Sequence, residues 1–179
     1  MVWSDGPEPR QPKKVGNQQS WLREYGRITV GDTPMIQRQP IEQLVQADFR
    51  LIAIETTTPD RVMEMFRSFS QRTGKAVYHW TAEDGMFRLG GFEHIIIPHT
   101  QRALDVLDYI ASNSLYGVYL LRGIMAPLQD KRCIAALRRI AEAQDGTPRL
   151  IVLLDEKVSL PAELRDLSAR VKHGLRKVS

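Results

Sequence analysis

The chain has 179 residues, a net charge of +4 and a single cysteine. Its length is enough for one domain with a sizeable core plus a polar extension. One cysteine excludes an intrachain disulfide and indicates a reducing compartment. No apolar run approaches the roughly 20 residues of a membrane span, and the N-terminus has acidic residues and prolines where a signal peptide would be apolar. We therefore expect a cytoplasmic protein, whose small basic excess permits an acidic partner without requiring one.

Residues 1–38 have the composition of a flexible polar leader, rich in proline, glycine, lysine and glutamine. Such a segment buries too little apolar surface to offset the entropy of ordering. Its aromatic residues Trp3, Trp21 and Tyr25 allow two interpretations. The leader either drapes over its own domain, or it is a docking segment in which these three residues contact a protein partner.

Residues 39–179 alternate between short apolar runs and amphipathic segments, which predicts a single α/β domain. The predicted strands are Phe49–Glu55, Ala76–Trp80, Gly117–Leu121, Leu150–Leu154 and an edge strand Ala169–His173, with His94–Pro98 as a strand or an extended link. Helices are predicted for Gln39–Ala47, from Pro59 to Thr73, from Thr100, from Asp130 and after Leu160, whereas Ala82–Phe92 is predicted to be irregular. The pattern indicates a three-layer sandwich with a mostly parallel sheet of about five strands, as in P-loop NTPases.

The turn after the first strand, Glu55-Thr-Thr-Thr-Pro59, lies where a P-loop NTPase would carry its glycine-rich phosphate loop. That loop requires GxxxxGK[ST], and the chain contains no such motif. Thr58 is predicted to cap the following helix, and Pro59 removes one backbone donor that a phosphate could use. We therefore expect no bound nucleotide or other cofactor.

The ends of the later strands also lack the residues of an ATPase. Arg122 ends the third strand, where a magnesium-binding acid would be required, and Asp155-Glu156 follows the fourth strand, where we expect a loop. The four histidines have no metal-ligand spacing, and Cys133 is expected to be a packing residue. The sequence therefore predicts no catalytic residue, no metal site and no enzymatic activity.

Basic residues form two clusters. One lies on the predicted fourth helix and contains Lys131, Arg132, Arg138 and Arg139. The other, the C-terminal basic cluster, contains Arg170, Lys172, Arg176 and Lys177. Each is either a solvated face or a contact surface for nucleic acid or another anion. No aromatic residue alternates with them to stack a base.

Four segments give the chain a resemblance to a known family. They are Arg50–Val62, Gly74–Gly85, Leu120–Arg122 and Arg149–Leu164, within Ile41 to Lys172. In this order they resemble the degenerate, Walker-less N-terminal ATPase-like domain of AAA-family ATPases from bacteria and chloroplasts. In that family an active AAA module follows the domain, whereas this chain ends at Ser179. The resemblance therefore implies a stand-alone ATPase-like fold that has lost its ATPase site, and no catalytic residue is carried over.

These observations predict a non-catalytic protein-interaction or regulatory module, with an AAA ATPase, a second copy or a larger assembly as its partner. The first alternative is a nucleic-acid-associated protein that uses the C-terminal basic cluster. The second is an enzyme with its site at the carboxyl ends of the strands, because open parallel sheets bind ligands there. The residues expected at that edge are Glu55, Thr56, Thr57, Thr58, Arg122 and Asp155. We expect Arg122 to form a structural salt bridge with Glu55.

Overall fold

The computed structural model describes residues 41–46, 49–90, 95–113, 116–144, 146 and 149–173. All of them belong to one of the two compact units of the chain, Met35–Ser179. The predicted leader, with Trp3, Trp21 and Tyr25, lies outside the described residues, as do Arg176 and Lys177.

The described chain forms five α-helices and seven strands. The helices are α1 (Ile41–Gln46), α2 (Pro59–Thr73), α3 (Ala103–Ser112), α4 (Lys131–Glu142) and α5 (Ala162–Arg165), and a 3₁₀ turn (Pro127–Gln129) precedes α4. The strands are β1 (Leu51–Thr56), β2 (Val77–Thr81), β3 (Gly85–Leu89), β4 (Ile95–Ile97), β5 (Gly117–Arg122), β6 (Arg149–Asp155) and β7 (Ser168–His173). Among the described residues, no helix is long and apolar enough to cross a membrane.

The strands form one sheet in the order β4-β3-β2-β5-β6-β1-β7. The five strands β2, β5, β6, β1 and β7 are parallel, as predicted. The strands β3 and β4 extend the sheet in antiparallel orientation. The mostly parallel α/β sheet is therefore confirmed. Strand β4 falls in His94–Pro98, which was predicted as a strand or an extended link, and β3 was not expected.

The additional strand β3 lies in the stretch Ala82–Phe92 that was predicted to be irregular, so that prediction was wrong. Thr81 pairs with Gly85 across a short hairpin, and Gly85 has φ +74°. A positive φ is accessible to glycine at low cost, and a glycine in this conformation is typical of three-residue hairpin loops. The Thr81 hydroxyl donates to Asp84 and accepts from its backbone N–H, which holds the turn closed.

The sheet separates two hydrophobic clusters, because side chains alternate between its faces. In β1, Leu51 and Ala53 pack with α3, α4 and α5, whereas Ile52 and Ile54 pack with α1 and α2. A strand covered on both faces needs apolar residues at every position. This is why β1, β5 and β6 read as unbroken apolar runs and were predictable.

One helix start differs from its prediction, and one predicted helix cap lacks its hydrogen bond. Helix α3 begins at Ala103 and not at Thr100. Thr100 is buried instead, where its hydroxyl accepts from the Met86 N–H (2.8 Å) and its carbonyl accepts from the Trp80 indole (2.5 Å). Thr58 occupies the N-cap position of α2, but its side chain makes no capping hydrogen bond.

Candidate functional site at the carboxyl ends of the central strands

The carboxyl ends of β1, β5 and β6 meet at one edge of the sheet, as the parallel topology requires. Glu55 of β1 lies beside Asp155 of β6, and Arg122 of β5 lies beside Leu154. The alternation of side chains places Glu55 and Asp155 on the face covered by α3, α4 and α5. It places Thr56 and Arg122 on the opposite face, beneath α2. The predicted edge residues therefore divide into two groups separated by the sheet.

The turn between β1 and α2 uses its own polar groups. The buried Thr56 hydroxyl accepts a hydrogen bond from the Thr58 N–H at 3.0 Å and lies 3.3 Å from the Thr58 hydroxyl. The N–H groups of Arg61 and Val62 donate to the Thr58 carbonyl. Because Pro59 has no N–H, the turn offers little of the free backbone donation that a phosphate loop requires.

Arg122 pairs with Asp60 in the first turn of α2, with Nη1 3.0 Å from Oδ1. The predicted pairing with Glu55 is therefore wrong. The reason is geometric, because Arg122 and Glu55 point to opposite faces of the sheet. The pair is open to solvent, with side chains 40% and 86% exposed, so it contributes at most about 1 kcal/mol. Its effect is to place a carboxylate, paired with a cation, next to the helix N-terminus.

Glu55 is paired with the described part of the C-terminal basic cluster. Its carboxylate lies 3.4 Å from Lys172 Nζ and 3.8 Å from Arg170 Nη2. Strand pairing explains the contact, since β7 runs parallel to β1 with Lys172 beside Glu55 and Arg170 beside Ala53. Arg170 also donates to the Val158 carbonyl at 2.8 Å. Both cations remain slightly more than half exposed, and their role in nucleic-acid binding stays a prediction.

Asp155 serves the loop that follows β5. Its Oδ2 atom is buried with no hydrogen-bond partner among the described residues. Burial raises the pKa of this carboxyl above its usual value, although the backbone N–H groups of Met125 and Gly123 and the nearby Arg122 oppose the shift. The loop interpretation of this residue fits these contacts. Within the described ranges, no group of three or more histidine, cysteine or acidic side chains could hold a metal ion.

His79 lies beside Leu120 of β5, on the sheet face covered by α2, and was not singled out by sequence reasoning. It lies in the middle of β2, is 3% exposed, and packs its ring against the edge of Phe87. Neither ring nitrogen has a hydrogen-bond partner. Burial, reinforced by the positive charge of Arg122, lowers the pKa of His79 from 6.5 to about 4. The imidazole is therefore neutral at pH 7, and its position between Val77 and Trp80 in an apolar strand was the available sequence signal.

The basic residues of α4 are largely paired on the surface. Arg132 contacts Asp130 (2.7 Å), Arg138 contacts Glu142 (2.9 Å) and Arg139 contacts Asp108 of α3 (3.0 Å). Asp130, where this helix was predicted to start, is the N-cap of α4, and its side chain accepts from the Arg132 N–H. These ion pairs leave this cluster with much less uncompensated positive charge than its composition indicates.

The fold is an α/β domain with a mostly parallel sheet, and the turn after its first strand carries no GxxxxGK[ST] motif. The chain belongs to the family described as the SpoVK-like AAA ATPase, N-terminal domain, whose model matches residues 37–173. It is also similar to the uncharacterized AAA domain-containing protein ycf46 of Trieres chinensis, with 23% identity over 133 residues. That match covers 74% of this chain and 27% of the relative, so the chain spans about a quarter of the relative's length. The predicted family is thus confirmed.

Proposed function

We propose that this domain is a non-catalytic protein-interaction or regulatory module built on an inactive ATPase-like fold. The observation that carries the proposal is that the turn between β1 and α2 hydrogen-bonds to itself and offers few free N–H groups. We call it the closed turn. A phosphate at a helix N-terminus needs free N–H groups and a favourable positive potential. Here the Thr56 hydroxyl accepts a hydrogen bond from the Thr58 N–H, and Pro59 has no backbone N–H. In addition, Asp60 places a carboxylate in the first turn of α2.

The charges at this edge also argue against an enzymatic site. Glu55 and Arg122 would be the natural acid and cation of such a site, but each is paired with another residue, on opposite faces of the sheet. Asp155 is engaged by the backbone of the β5 loop. The polar side chains are therefore used in holding the strand ends and loops together.

Calorimetry with Mg²⁺-ATP and the full chain tests this proposal. We expect no measurable binding at nucleotide concentrations in the millimolar range. Stoichiometric binding that is lost in Arg122→Gln would overturn the proposal, because it would show a working nucleotide site beside α2.

A pair of matched variants tests the role assigned to Asp60. Asp60→Asn removes the carboxylate next to α2, whereas Asp105→Asn removes a comparable first-turn carboxylate, paired with Arg102, from α3. If Asp60 excludes anions, only Asp60→Asn gains affinity for inorganic phosphate. Equal behaviour of the two variants would remove Asp60 from the explanation.

We further propose that the partner is an AAA ATPase module. The family description and the printed name of the relative, both of which refer to AAA proteins, support this choice. The leader aromatics Trp3, Trp21 and Tyr25 are the proposed contact residues, since large aromatic side chains often dominate binding energy.

Capture of a purified SpoVK-like AAA module by the full chain tests the partner. Replacing the three aromatics with alanine is expected to reduce capture, whereas replacing Gln11, Gln18 and Gln19 with alanine in the same segment is not. Capture that is unchanged by the aromatic replacements would exclude the leader as the contact.

A further inference from the structure

The two edges of the sheet differ sharply in chemistry. Strand β4 consists of three isoleucines, and Ile95 and Ile96 are 58% and 63% exposed, the two exposed large hydrophobic residues of the described chain. Strand β7 at the other edge carries Arg170 and Lys172. Charged residues are a common protection of edge strands against pairing with another chain. In the described residues, β4 has no charge and no strand beyond it.

The register with β3 shows how β4 presents its side chains. Ile95 lies beside Arg88, Ile96 beside Phe87 and Ile97 beside Met86. Ile95 and Ile97 therefore point to the face covered by α3, and Ile96 points to the opposite face. Because Ile95 and Ile96 are both exposed, apolar surface is presented on both sides of the strand edge.

We propose that β4 is a self-association edge, which pairs antiparallel with β4 of a second copy of this chain. Charge favours β4 over β7 as the edge at which two copies pair. Self-pairing of β7 would bring like charges together, which destabilises a sheet, whereas β4 meets only isoleucine. Pairing of β4 with β7 of another copy would be head-to-tail and would leave further edges open, whereas β4 with β4 is a closed two-fold contact.

The symmetry fixes the register of the pair. With the two-fold axis at Ile96, this residue lies opposite Ile96 of the second copy, and Ile95 lies opposite Ile97. Side chains on the same face then form β-branched cross-strand pairs. Three residues per strand bury less than the roughly 1,200 Å² of a stable interface, so the dimer is expected to be weak and concentration-dependent.

The inference rests on the interaction role proposed above and adds a second copy of the chain as a partner besides the AAA module. Sedimentation velocity on the full chain, from about 10 μM to about 1 mM, tests it. We expect reversible dimer formation, and Ile96→Lys is expected to weaken it about tenfold or more, because it places two like charges opposite each other. Gln101→Lys adds the same charge at an exposed position outside β4 and is expected to leave the dimer intact. A wild-type chain that stays monomeric, or a dimer equally stable in Ile96→Lys, overturns the proposal.

A crosslinking experiment tests the register. The native Cys133 is buried, so Ile96→Cys adds one exposed thiol, and residues directly opposite in an antiparallel pair have Cα atoms close enough for a disulfide. Under mild oxidation Ile96→Cys is expected to form a covalent dimer faster than Lys172→Cys, which lies at a similarly exposed position on the opposite edge. Equal rates would refute the two-fold contact at β4. These outcomes do not depend on the ATP calorimetry, so the edge proposal and the non-catalytic role can fail separately.

Discussion

His79 is expected to make the fold sensitive to acid. Its pKa is 6.5 in an unfolded chain and about 4 in the folded domain. Between these values the unfolded state binds more protons, so the free energy of unfolding falls as the pH falls. Above about pH 7 the imidazole is neutral in both states, so it does not lower the free energy of unfolding. The full loss of unfolding free energy is reached below about pH 4. The charged groups that act on the ring are Arg122 and Arg67, which lower its pKa, and Asp84 and Asp60, which raise it.

The expected loss follows from the two pKa values. At pH 5 it amounts to about 2 kcal/mol relative to pH 8, and it approaches about 3 kcal/mol below pH 4. Because the side chain is 3% exposed, solvent screening should reduce these values little. The loss is therefore a large part of the 5–15 kcal/mol, roughly, that separates folded and unfolded states of ordinary domains.

Urea unfolding followed by circular dichroism at pH 8, 7, 6 and 5 measures this effect. The wild-type chain is compared with His79→Leu, which cannot titrate, and with His99→Asn as a control at an exposed position. His99 has φ +58°, a conformation that asparagine tolerates. The pH-dependent loss is expected in the wild type and the control, and it should be smaller in His79→Leu by about 2 kcal/mol at pH 5. Equal losses in the wild type and His79→Leu would refute the reasoning. The opposing titration of Asp155 cancels in this comparison.

Other predictions concern the loop before α3, the ion pair between Arg122 and Asp60, and the C-terminal basic cluster. Thr100→Val leaves the Met86 N–H without its acceptor and is expected to destabilise the domain by about 1–3 kcal/mol in urea unfolding; Thr100→Ser keeps the hydroxyl and should cost less, and the reverse order would contradict the role of the hydroxyl. Arg122→Gln is expected to change stability by at most about 1 kcal/mol, because its pair with Asp60 is exposed; a larger loss would show that the pair matters more than its exposure indicates. The nucleic-acid alternative predicts salt-dependent retention on DNA or RNA that weakens when the C-terminal basic cluster is replaced by glutamine, and no retention at low salt would remove it.

Much of the fold could be predicted because the central strands are covered on both faces. The apolar runs in β1, β5 and β6 and the capping residues Asp130 and Gly74 carry local signals that the folded chain uses. Strand β3 lacked such a signal. Its burial alternates poorly, with Met86 buried and Phe87 and Arg88 half-buried, because it lies near the edge of the sheet.

The contacts at the carboxyl ends of the strands were less predictable, because they depend on the face of the sheet to which each side chain points. A one-residue difference in register decides whether Arg122 meets Glu55 or Asp60, and sequence spacing does not contain the register between distant strands. The pairing of Glu55 with Lys172 depends in the same way on β7 docking beside β1. The closed turn after β1, by contrast, follows from local residues, since it needs only Thr56, Thr58 and Pro59.

The place of β1 in the sheet has a consequence for biosynthesis. Among the strands of the described chain β1 is the first to leave the ribosome, whereas its neighbours β6 and β7 are the last two. One edge of this apolar strand stays unpaired until β6, which ends at Asp155, has been translated, and the other until β7, which ends at His173. Contacts of such long sequence separation form slowly and expose unpaired strands to aggregation. We therefore expect folding to be completed after β7 is released, and nascent chains that stall before β6 to be targets for chaperones.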